Sequence, residues 1–415
     1  MPNEKLINLL LNILNFRVDH VGTEIGGAIL TGLSQEEWNS LLSLANAQGI
    51  SPLLFHRLKK RGLQSAVPPE IWQKLNQRYL SNIARNLRLY AELDQIVQWL
   101  SAEQIPVIPL KGIYLAQVVY QNIGLRAMGD LDLLVPETQA QRSWELLKQH
   151  GYHAEADPIV CSHLQPLRKE GSAPVEIHWG FYKFGSDFSM VAEEIWKRAN
   201  LIQLGKTNLL AMSAEDLLLH VCEHLSYGHF FSFGLRPIYD IVLIIEHFGN
   251  HLDWEKVYER AESWGLRRGL YLSLLLAQQI GDACLPKTVL KRLGQHQDEA
   301  TIQVMMEIAK TQLFEDSDTK GSLPPKVASI WNANSLKEKI RIFLDGVAIP
   351  QELMLIMHPF ALSSPKRYWY HFIRLLHVLR NHAPTVWRLL LGDRTLTAAA
   401  QRESLLLNWL NGESG

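Results

Sequence analysis

The sequence has few cysteines, and none of them forms a recognisable pairing motif. Cys161, Cys222 and Cys284 are its 3 cysteines, and no two of them show CxxC spacing. This scatter argues against a disulfide framework and against a thiolate zinc site. The sequence therefore predicts a protein of a reducing compartment whose cysteines are small buried side chains.

The sequence also lacks an excess of one charge and a long apolar run. Lysine and arginine total 41 and aspartate and glutamate 42, so no overall charge favours nucleic acid or an acidic polymer as a partner. No segment approaches the run of about 18 apolar residues that indicates a membrane span. The apolar stretch near the N-terminus has no basic cluster before it and no small-residue cleavage site after it. We therefore expect a cytoplasmic protein that binds no nucleic acid.

The composition is that of a globular protein of two or three domains, with 415 residues, 47% of them hydrophobic and 20% charged. Apolar residues recur at helical spacing over residues 1–103 and 213–415, whereas short apolar runs alternate with helices over residues 104–212. Ser34 with Glu37, and Ser213 with Asp216, have the spacing of helix caps. We predict an α/β (α+β) fold with three regions: an N-terminal helical region (1–103), a small mixed sheet (104–212) and a C-terminal helical region (213–415).

Two acidic residues stand at alternate positions of a predicted strand over residues 131–135. Alternation places Asp130 and Asp132 on one face of the strand, and Leu131, Leu133 and Val135 on the other. Like charges about 7 Å apart, the rise of two strand residues, repel each other unless a cation compensates them. The segment therefore predicts a magnesium site.

A second predicted strand, within residues 173–179, alternates in the same way. It places Glu176 and His178 on the face opposite its apolar residues. If the two strands pair, Glu176 becomes a third carboxylate beside the aspartates, and such a trio can hold one or two divalent cations. The alternative is that Glu176 is a solvated strand residue. Periodicity does not reveal strand order, so both interpretations stay open.

Lys111 and Gly112 stand at a predicted junction between a strand and a helix. Amides at a helix start attract anions, glycine permits close approach, and the lysine ammonium suits a phosphate. Arg126 precedes Asp130 by four residues, and its guanidinium can bind a phosphate or a carboxylate through two hydrogen bonds. These residues predict a phosphate site. The alternatives are a simple turn at Lys111 and an arginine–aspartate pair that holds the loop.

Together these segments resemble a known family. Pro-Leu-Lys-Gly, followed by Arg-x-Met-x-Asp-x-Asp-Leu-Leu-Val and Val-Glu-Ile-His-Trp, is similar to the uncharacterised nucleotidyltransferase family, a branch of the polymerase-beta-like nucleotidyltransferase superfamily. The resemblance extends over residues 30–245. It includes the helical segments Leu-Leu-Leu-His-Val-Cys-Glu-His and Leu-Arg-Pro-Ile-Tyr-Asp-Ile.

The resemblance implies a nucleotidyltransferase-like sheet and a role for each of these residues. Asp130 and Asp132 would bind the Mg²⁺ (or Mn²⁺) that grips the triphosphate of an NTP. Glu176 would help to hold a second ion and activate an acceptor hydroxyl. The triphosphate would be bound by Lys111, Gly112 and Arg126. Members of the superfamily usually carry Gly-Ser where this chain has Lys-Gly, so the phosphate geometry differs from the family pattern.

The resemblance thus implies a magnesium-dependent, ATP-binding or other nucleotide-binding transferase. It would move a nucleotidyl group, or alternatively a phosphoryl group, from an NTP to a hydroxyl of a small molecule or peptide. The alternative from a different class is a non-catalytic nucleotide sensor or assembly protein that retained the sheet.

The helix predicted after Ser213 carries the motif His-Val-Cys-Glu-His. Its spacing matches the H-x-x-E-H motif of inverted zinc peptidases, which would make the protein a zinc peptidase acting through His220, Glu223 and His224. Two other interpretations are that His220 and His224, like His178, contact the acceptor or support the site, and that they pack between helices. Arg236 and Asp240, four residues apart, either form a helical ion pair or serve the same cleft.

Residues 366–394 combine basic and aromatic side chains. A basic helix with aromatics can make weak contact with an anionic membrane surface. The alternative is an amphipathic helix that packs on its own domain and is interrupted by Pro384.

Overall fold

The computed structural model describes residues 4–15, 29–154, 164–182, 189–190, 192–315, 325–333, 335–347 and 391–412, with isolated positions between 369 and 389. Its helices are α1 (Glu4–Leu14), α2 (Gln35–Ala47), α3 (Ser51–Lys60), α4 (Pro69–Ala102), α5 (Ala140–Gln149), α6 (Ala192–Arg198), α7 (Ala214–Glu223), α8 (Arg236–Phe248), α9 (Trp254–Ser263), α10 (Arg267–Gly281), α11 (Lys287–Leu293), α12 (Glu299–Phe314), α13 (Pro325–Asn332), α14 (Leu336–Val347) and α15 (Arg394–Asn411). Within these ranges no helix has both the length and the apolar character that a membrane crossing requires.

Nine short strands lie in the described part of the chain, all between residues 108 and 211. They are β1 (Ile108–Pro109), β2 (Leu131–Leu134), β3 (His153–Ala154), β4 (Leu167–Arg168), β5 (Val175–His178), β6 (Phe181–Tyr182), β7 (Ser189–Met190), β8 (Asn200–Leu204) and β9 (Thr207–Ala211). The first five form one sheet in the order β1-β2-β5-β4-β3, and the other four form two hairpins. The β2–β5 pair is parallel and its neighbours in the sheet are antiparallel. The predicted small mixed sheet flanked by helices is confirmed.

The predicted helix caps are present. The Ser34 hydroxyl accepts a hydrogen bond from the Glu37 amide at 3.1 Å, and the Glu37 carboxylate accepts one from the Ser34 amide at 2.9 Å. Ser213 accepts from the Asp216 amide at 3.2 Å. Each cap satisfies amide groups that the first helical turn leaves without partners.

The local predictions failed mainly where elements are short. The predicted helix after Lys111 is one α-helical turn, Gly112–Tyr114, followed by a π-helical segment, Leu115–Val119. The strands β4, β6, β7, β8 and β9 were not predicted. The sequence also predicted a strand over residues 159–164, most of which lie outside the described residues. Cys222 is buried as predicted, but Cys284 is exposed, because it lies in the connection between α10 and α11. Cys161 and most of residues 366–394 also lie outside the described residues.

The sheet has one fully covered face. Leu131, Leu133 and Val135 of the first acidic segment share a core with Val175 and Ile177 of the second. The helices α4 and α5 cover this face and contribute Leu93, Ile96, Leu100, Leu146 and Leu147 to the same core. The alternation of each strand therefore directs its polar residues to the opposite face, as predicted.

Burial raises the pKa of Glu403 on α15 to about 8, and the nearby charge of Glu315 adds to the shift. Arg402 donates a hydrogen bond to Glu315, so this arginine is already engaged. The neutral form of Glu403 is favoured in the fold, since burial disfavours a charge. Below pH 4.5, the pKa expected for the unfolded chain, Glu403 is neutral in both states and its ionisation does not change the free energy of unfolding. Between pH 4.5 and pH 8 the unfolded chain ionises more readily than the folded protein, so Glu403 lowers the free energy of unfolding increasingly.

We expect Glu403→Gln to stabilise the protein at pH 8, because the amide stays neutral where the carboxyl ionises. At about 1.4 kcal/mol for each pKa unit, the rise in pKa from 4.5 to about 8 predicts a gain in free energy of unfolding of about 4 kcal/mol at pH 8. The gain should disappear below pH 4.5. Chemical denaturation at both pH values measures it. Glu259→Gln, on an exposed glutamate, is the control. An equal effect of Glu403→Gln at both pH values would contradict the prediction.

Candidate active site

The acids predicted from the sequence are aligned by the parallel β2–β5 pair. Asp132 is paired with Glu176, and Leu134 with His178. Residues paired across two strands point to the same face, and so do residues two positions apart on one strand. Asp132, Glu176 and His178 therefore share the face that the helices α4 and α5 leave open.

These three side chains form a compact group of metal-ligand type. One ligand atom from each lies within 4.8 Å of the other two. The His178 Nε2 lies 3.2 Å from Asp132 Oδ1 and 3.4 Å from Glu176 Oε2. Two carboxylates suit a hard cation such as Mg²⁺ or Mn²⁺, which prefers oxygen ligands. The donor set thus fits a divalent cation, with the imidazole placed to orient both carboxylates.

Asp130 lies just before β2 and lines the same cavity, but it is not one of the three compact ligands. It is exposed, whereas Asp132 is 7% exposed. Desolvation raises the pKa of Asp130, and the charges of Asp132 and Glu176 raise it further. All three acids therefore line one cavity, a proximity that the sequence left open, but Asp130 lies outside the compact group.

Lys111 compensates the buried aspartate. Its Nζ lies 3.2 Å from Asp132 Oδ2. Burial would raise the pKa of Asp132, but the charge of Lys111 and the hydrogen bond from His178 hold it well below its usual range. Burial would lower the pKa of His178, yet its hydrogen bonds to Asp132 and Glu176 raise it. The three groups therefore form one network of opposite charges.

The backbone at Lys111 is strained. Its φ is +46° and its ψ −114°, a conformation that residues with a side chain rarely adopt. Such strain persists where the surrounding structure enforces it, and it is common at functional sites. The turn thus holds the lysine ammonium at the acids. This is a more specific role than the simple turn that the sequence left as an alternative.

Gly112 permits a close approach, but of protein groups. A Cβ atom at this position would lie 2.5 Å from Arg126 Nη1 and 3.1 Å from two Met128 atoms. Any larger residue would therefore displace the Arg126 side chain. The close approach seen in the structure is thus that of the Arg126 guanidinium, and Gly112 lines the cavity together with Lys111.

Arg126 forms a buried fork with Asp240 of α8. Its Nε and Nη2 each donate a hydrogen bond of 2.8 Å to one Asp240 oxygen, and Tyr120 donates its hydroxyl to the same carboxylate at 2.7 Å. Arg126 is 7% exposed and Asp240 2%. The alternative interpretation, an arginine–aspartate pair that holds the loop, therefore describes Arg126, and the aspartate is Asp240. Asp240 consequently does not form the helical ion pair with Arg236 that their spacing suggested.

Two asparagines of α4 fix the loop that carries Arg126. Asn82 donates to the Gly124 carbonyl and Asn86 to the Arg126 carbonyl, both at 2.9 Å. Both asparagines are buried. They satisfy backbone groups that no strand or helix could pair. The sequence did not reveal this function, although two asparagines at i and i+4 in the apolar stripe of a helix were a detectable signal.

Histidines form the wall opposite the acids. His220, His224 and His229 line the same cavity as Lys111 and Asp132, a cavity of about 410 Å³. Burial lowers the pKa of all three, and the charge of Lys111 lowers it further; the pKa of His229 falls to about 4. This wall is therefore neutral at pH 7. A π-helical segment, His224–Gly228, continues α7 and turns the chain toward His229.

The structure does not assemble the zinc-peptidase ligands. Within the described residues, Asp132, Glu176 and His178 are the group found with metal-ligand spacing. The ring centres of His220 and His224 lie 6.4 Å apart, and His220 Nδ1 is 4.0 Å from Glu223 Oε2. The two histidines instead line the cleft, which is one of the interpretations that the sequence allowed.

Arg236 and Phe233 complete the cavity. Arg236 donates one hydrogen bond, from Nη1 to the Ala127 carbonyl at 3.0 Å, and its guanidinium lies 4.8 Å from the Phe233 ring centre. Together with Lys111 it gives the cavity two cationic side chains near the acids. The sequence offered two roles for Arg236, a helical ion pair with Asp240 or a place in this cleft, and its side chain lines the cavity. The sequence did not indicate His229 or Phe233. Their loop has no motif that would mark it.

One protein family and two solved structures are similar to this chain. A family model described as uncharacterised nucleotidyltransferase matches residues 34–282, more than half of the chain. No curated protein matches the sequence. The solution structure of the antibiotic-resistance factor ANT(2'')-Ia has 12% identity and a TM-score of 0.34, over 47% of this chain and 98% of that one. The crystal structure of ANT(2'')-Ia in complex with adenylyl-2''-tobramycin has 12% identity and a TM-score of 0.33, over 43% and 98%.

We expect Asp240→Leu to destabilise the fold by about 3–5 kcal/mol, because it leaves the Arg126 charge buried without a partner. The double variant Arg126→Met/Asp240→Leu should recover most of this loss, since no unpaired charge remains. Urea denaturation measures the free energy of unfolding of each variant. Glu307→Leu, which removes an exposed partner of Lys310, should cost less than about 1 kcal/mol. A double variant no more stable than Asp240→Leu would refute this coupling.

Proposed function

This chain belongs to the uncharacterised nucleotidyltransferase family, as its motifs predicted, and we propose that it moves a nucleotidyl group from an NTP to a hydroxyl of a small molecule or peptide. The observation that carries the proposal is the register of β2 and β5, which brings Asp132, Glu176 and His178 to one face. That face borders a cavity with Lys111 and Arg236 in its lining. The cavity thus combines carboxylates that can bind a metal ion with cationic side chains that can bind phosphates.

Asp132 and Glu176 would hold a divalent cation, Mg²⁺ or Mn²⁺, and Asp130 would reach it from the cavity side. When bound, such an ion neutralises phosphate charge and polarises the phosphorus centre. His178 orients the two carboxylates through its Nε2, in the way that outer partners fix metal ligands. It is therefore a positioning residue in this proposal.

The cationic side chains would bind the triphosphate. Lys111 lies at the acids, and Arg236 has a guanidinium with donors beyond the one bonded to Ala127. Arginine suits the paired oxygens of a phosphate, and lysine supplies a point charge. Arg126 has only an indirect role in this proposal, because its Nε and Nη2 donate their hydrogen bonds to Asp240. The predicted triphosphate contact of Arg126 is thus better made by Arg236.

The reaction conserves atoms and charge without a further reagent. The acceptor hydroxyl oxygen forms a bond to the α-phosphorus of the NTP, and the bond from that phosphorus to the bridging oxygen of the leaving pyrophosphate breaks. Glu176 takes the hydroxyl proton in this proposal, since its carboxylate faces the cavity and is 23% exposed. The neutral histidine wall would adjoin the acceptor and add no charge of its own.

We expect the label of [α-³²P]ATP, and not that of [γ-³²P]ATP, to appear on an acceptor in the presence of MgCl₂. Suitable acceptors are a panel of sugars, polyols and peptides with serine, threonine or tyrosine. Stoichiometric pyrophosphate should accompany each transfer, because the α–β bridge breaks. Transfer of the γ-label with release of ADP would contradict nucleotidyl transfer. ATP binding without transfer of either label would instead indicate a sensor.

We also expect Asp132→Asn and Glu176→Gln each to weaken Mn²⁺ binding by about 100-fold or more, since changes to outer partners of metal ligands already cost about 10–100-fold. Calorimetry, or the electron spin resonance of free Mn²⁺, measures this affinity independently of turnover. Asp94→Asn is the matched control, because Asp94 lies outside the cavity and accepts from Thr207. Unchanged Mn²⁺ affinity in both cavity variants would show that the cation site is wrongly assigned.

A further inference from the structure

A solvent-exposed phenylalanine stands at the rim of the cavity. Phe233 is 41% exposed, which is unusual for a large aromatic ring beside a polar site. The His229 ring lies 4.3 Å from it at 31°, and the Arg236 guanidinium lies 4.8 Å from its centre. We call His229, Phe233 and Arg236 the aromatic platform. We propose that this platform binds the nucleobase of the NTP by stacking, an inference that rests on the proposed function.

The backbone that presents the platform is held in a strained form. Phe230 and Phe231 have φ values of +47° and +60°, and Gly234 has +75°. Two consecutive non-glycine residues in this region are uncommon and cost free energy. The two strained phenylalanines are buried in the core, while Phe233 is turned outward. The loop thus anchors itself with two rings and exposes the third at the cavity.

Hydrogen bonds over-determine this conformation. The Phe231 amide donates to the Leu225 carbonyl at 2.9 Å, and the Ser232 amide donates to the His229 carbonyl at 2.8 Å. On the other side, buried Gln48 accepts from the Leu235 amide at 2.9 Å. The loop is therefore preorganised, so a ligand that stacks on Phe233 need not pay to order it.

The position of Arg236 indicates which ligand the platform receives. The same side chain lies against the Phe233 ring and belongs to the cationic lining proposed to bind phosphate. A ring that stacks on Phe233 would therefore lie close to the phosphates bound by Arg236. The base of a nucleotide has this position, because the ribose joins it to the α-phosphate. The acceptor hydroxyl must instead approach the α-phosphorus from the side opposite the leaving pyrophosphate. Because base and acceptor approach the α-phosphorus from different directions, we assign the platform to the base, and His220 and His224 to the acceptor.

The inner wall gives independent evidence that a polar ligand completes the cavity. His220 is 2% exposed, and neither of its ring nitrogens has a hydrogen-bond partner among the described residues. Its ring packs on Phe181 with centres 4.5 Å apart. A buried polar group without a partner is costly unless a ligand supplies one. The cavity therefore has an aromatic end at the platform and an unsatisfied polar end at His220.

Stacking on a phenylalanine recognises the π-face that every base has, so it confers affinity with little selectivity among bases. We therefore infer a site that accepts several NTPs, with purines favoured because their larger rings stack over more area.

The test compares binding of ATP with binding of inorganic tripolyphosphate, a probe that has the phosphates and no base. Phe233→Ala should weaken ATP binding about tenfold in MgCl₂, as loss of a stacked aromatic does, and leave tripolyphosphate affinity unchanged. Phe233→Trp should retain ATP affinity, since the stacking surface is kept. Isothermal calorimetry on the full chain measures both probes. Phe372→Ala, which removes a ring of 46% exposure outside the cavity, is the matched control.

Three results would overturn the assignment. Wild-type ATP affinity in Phe233→Ala would place the base elsewhere and leave the proposed function intact. An equal loss for ATP and tripolyphosphate would show that Phe233 acts only by supporting Arg236. Failure of the wild-type protein to bind either probe would reject nucleotide binding itself, and with it both proposals.

Discussion

The register of two short parallel strands is the constraint on which the site depends. Because Asp132 of β2 is paired with Glu176 of β5, both carboxylates and the His178 imidazole share one face. A slip of one residue in either strand would turn that strand's polar residues toward the core built on α4 and α5. The apolar residues of both strands, such as Leu133 and Ile177, are buried in that core and so specify the register. The packing of the apolar face of the sheet thus determines where the polar residues of the opposite face lie.

Placing acids together then requires compensating charge, and the fold supplies it twice. Lys111, held by a strained turn, pairs with Asp132 at the open face. Behind it, Arg126 is paired with Asp240 of α8, so the sheet loop and the helical wall are joined by a buried fork. Such pairs cost desolvation and add little net stability, but breaking one is expensive. Both pairs therefore fix geometry, and the Arg126–Asp240 pair links the two walls of the cavity.

The helical wall contributes what the sheet cannot. Its histidines are neutral because burial and Lys111 lower the pKa of each, so they add polar contacts without adding charge. The π-helical segment His224–Gly228 contributes to the cavity lining, and such irregular turns are frequent at functional sites. A second π-helical segment, Leu115–Val119, follows Lys111 and Gly112 in the chain. The first of these segments leads into the strained loop that exposes Phe233. In the proposed transfer, the sheet side holds the cation and the helical side adjoins the base and the acceptor. The phosphates are bound from both sides, by Lys111 and by Arg236.

Four features could be predicted from the amino-acid sequence: the fold class, the family, the helix caps at Ser34 and Ser213, and the face of the sheet on which each acid lies. These features are local, because they follow from the period of a strand, the spacing of a cap or a contiguous motif. The remaining features depend on how the elements pack in three dimensions. The tertiary structure gave Asp132, and not Asp130, the compact place beside Glu176 and His178. It paired Arg126 with Asp240, 114 residues away, and left Arg236 facing the cavity. Contacts between residues so distant in the chain depend on how strands and helices are ordered in space, and no periodicity records that order.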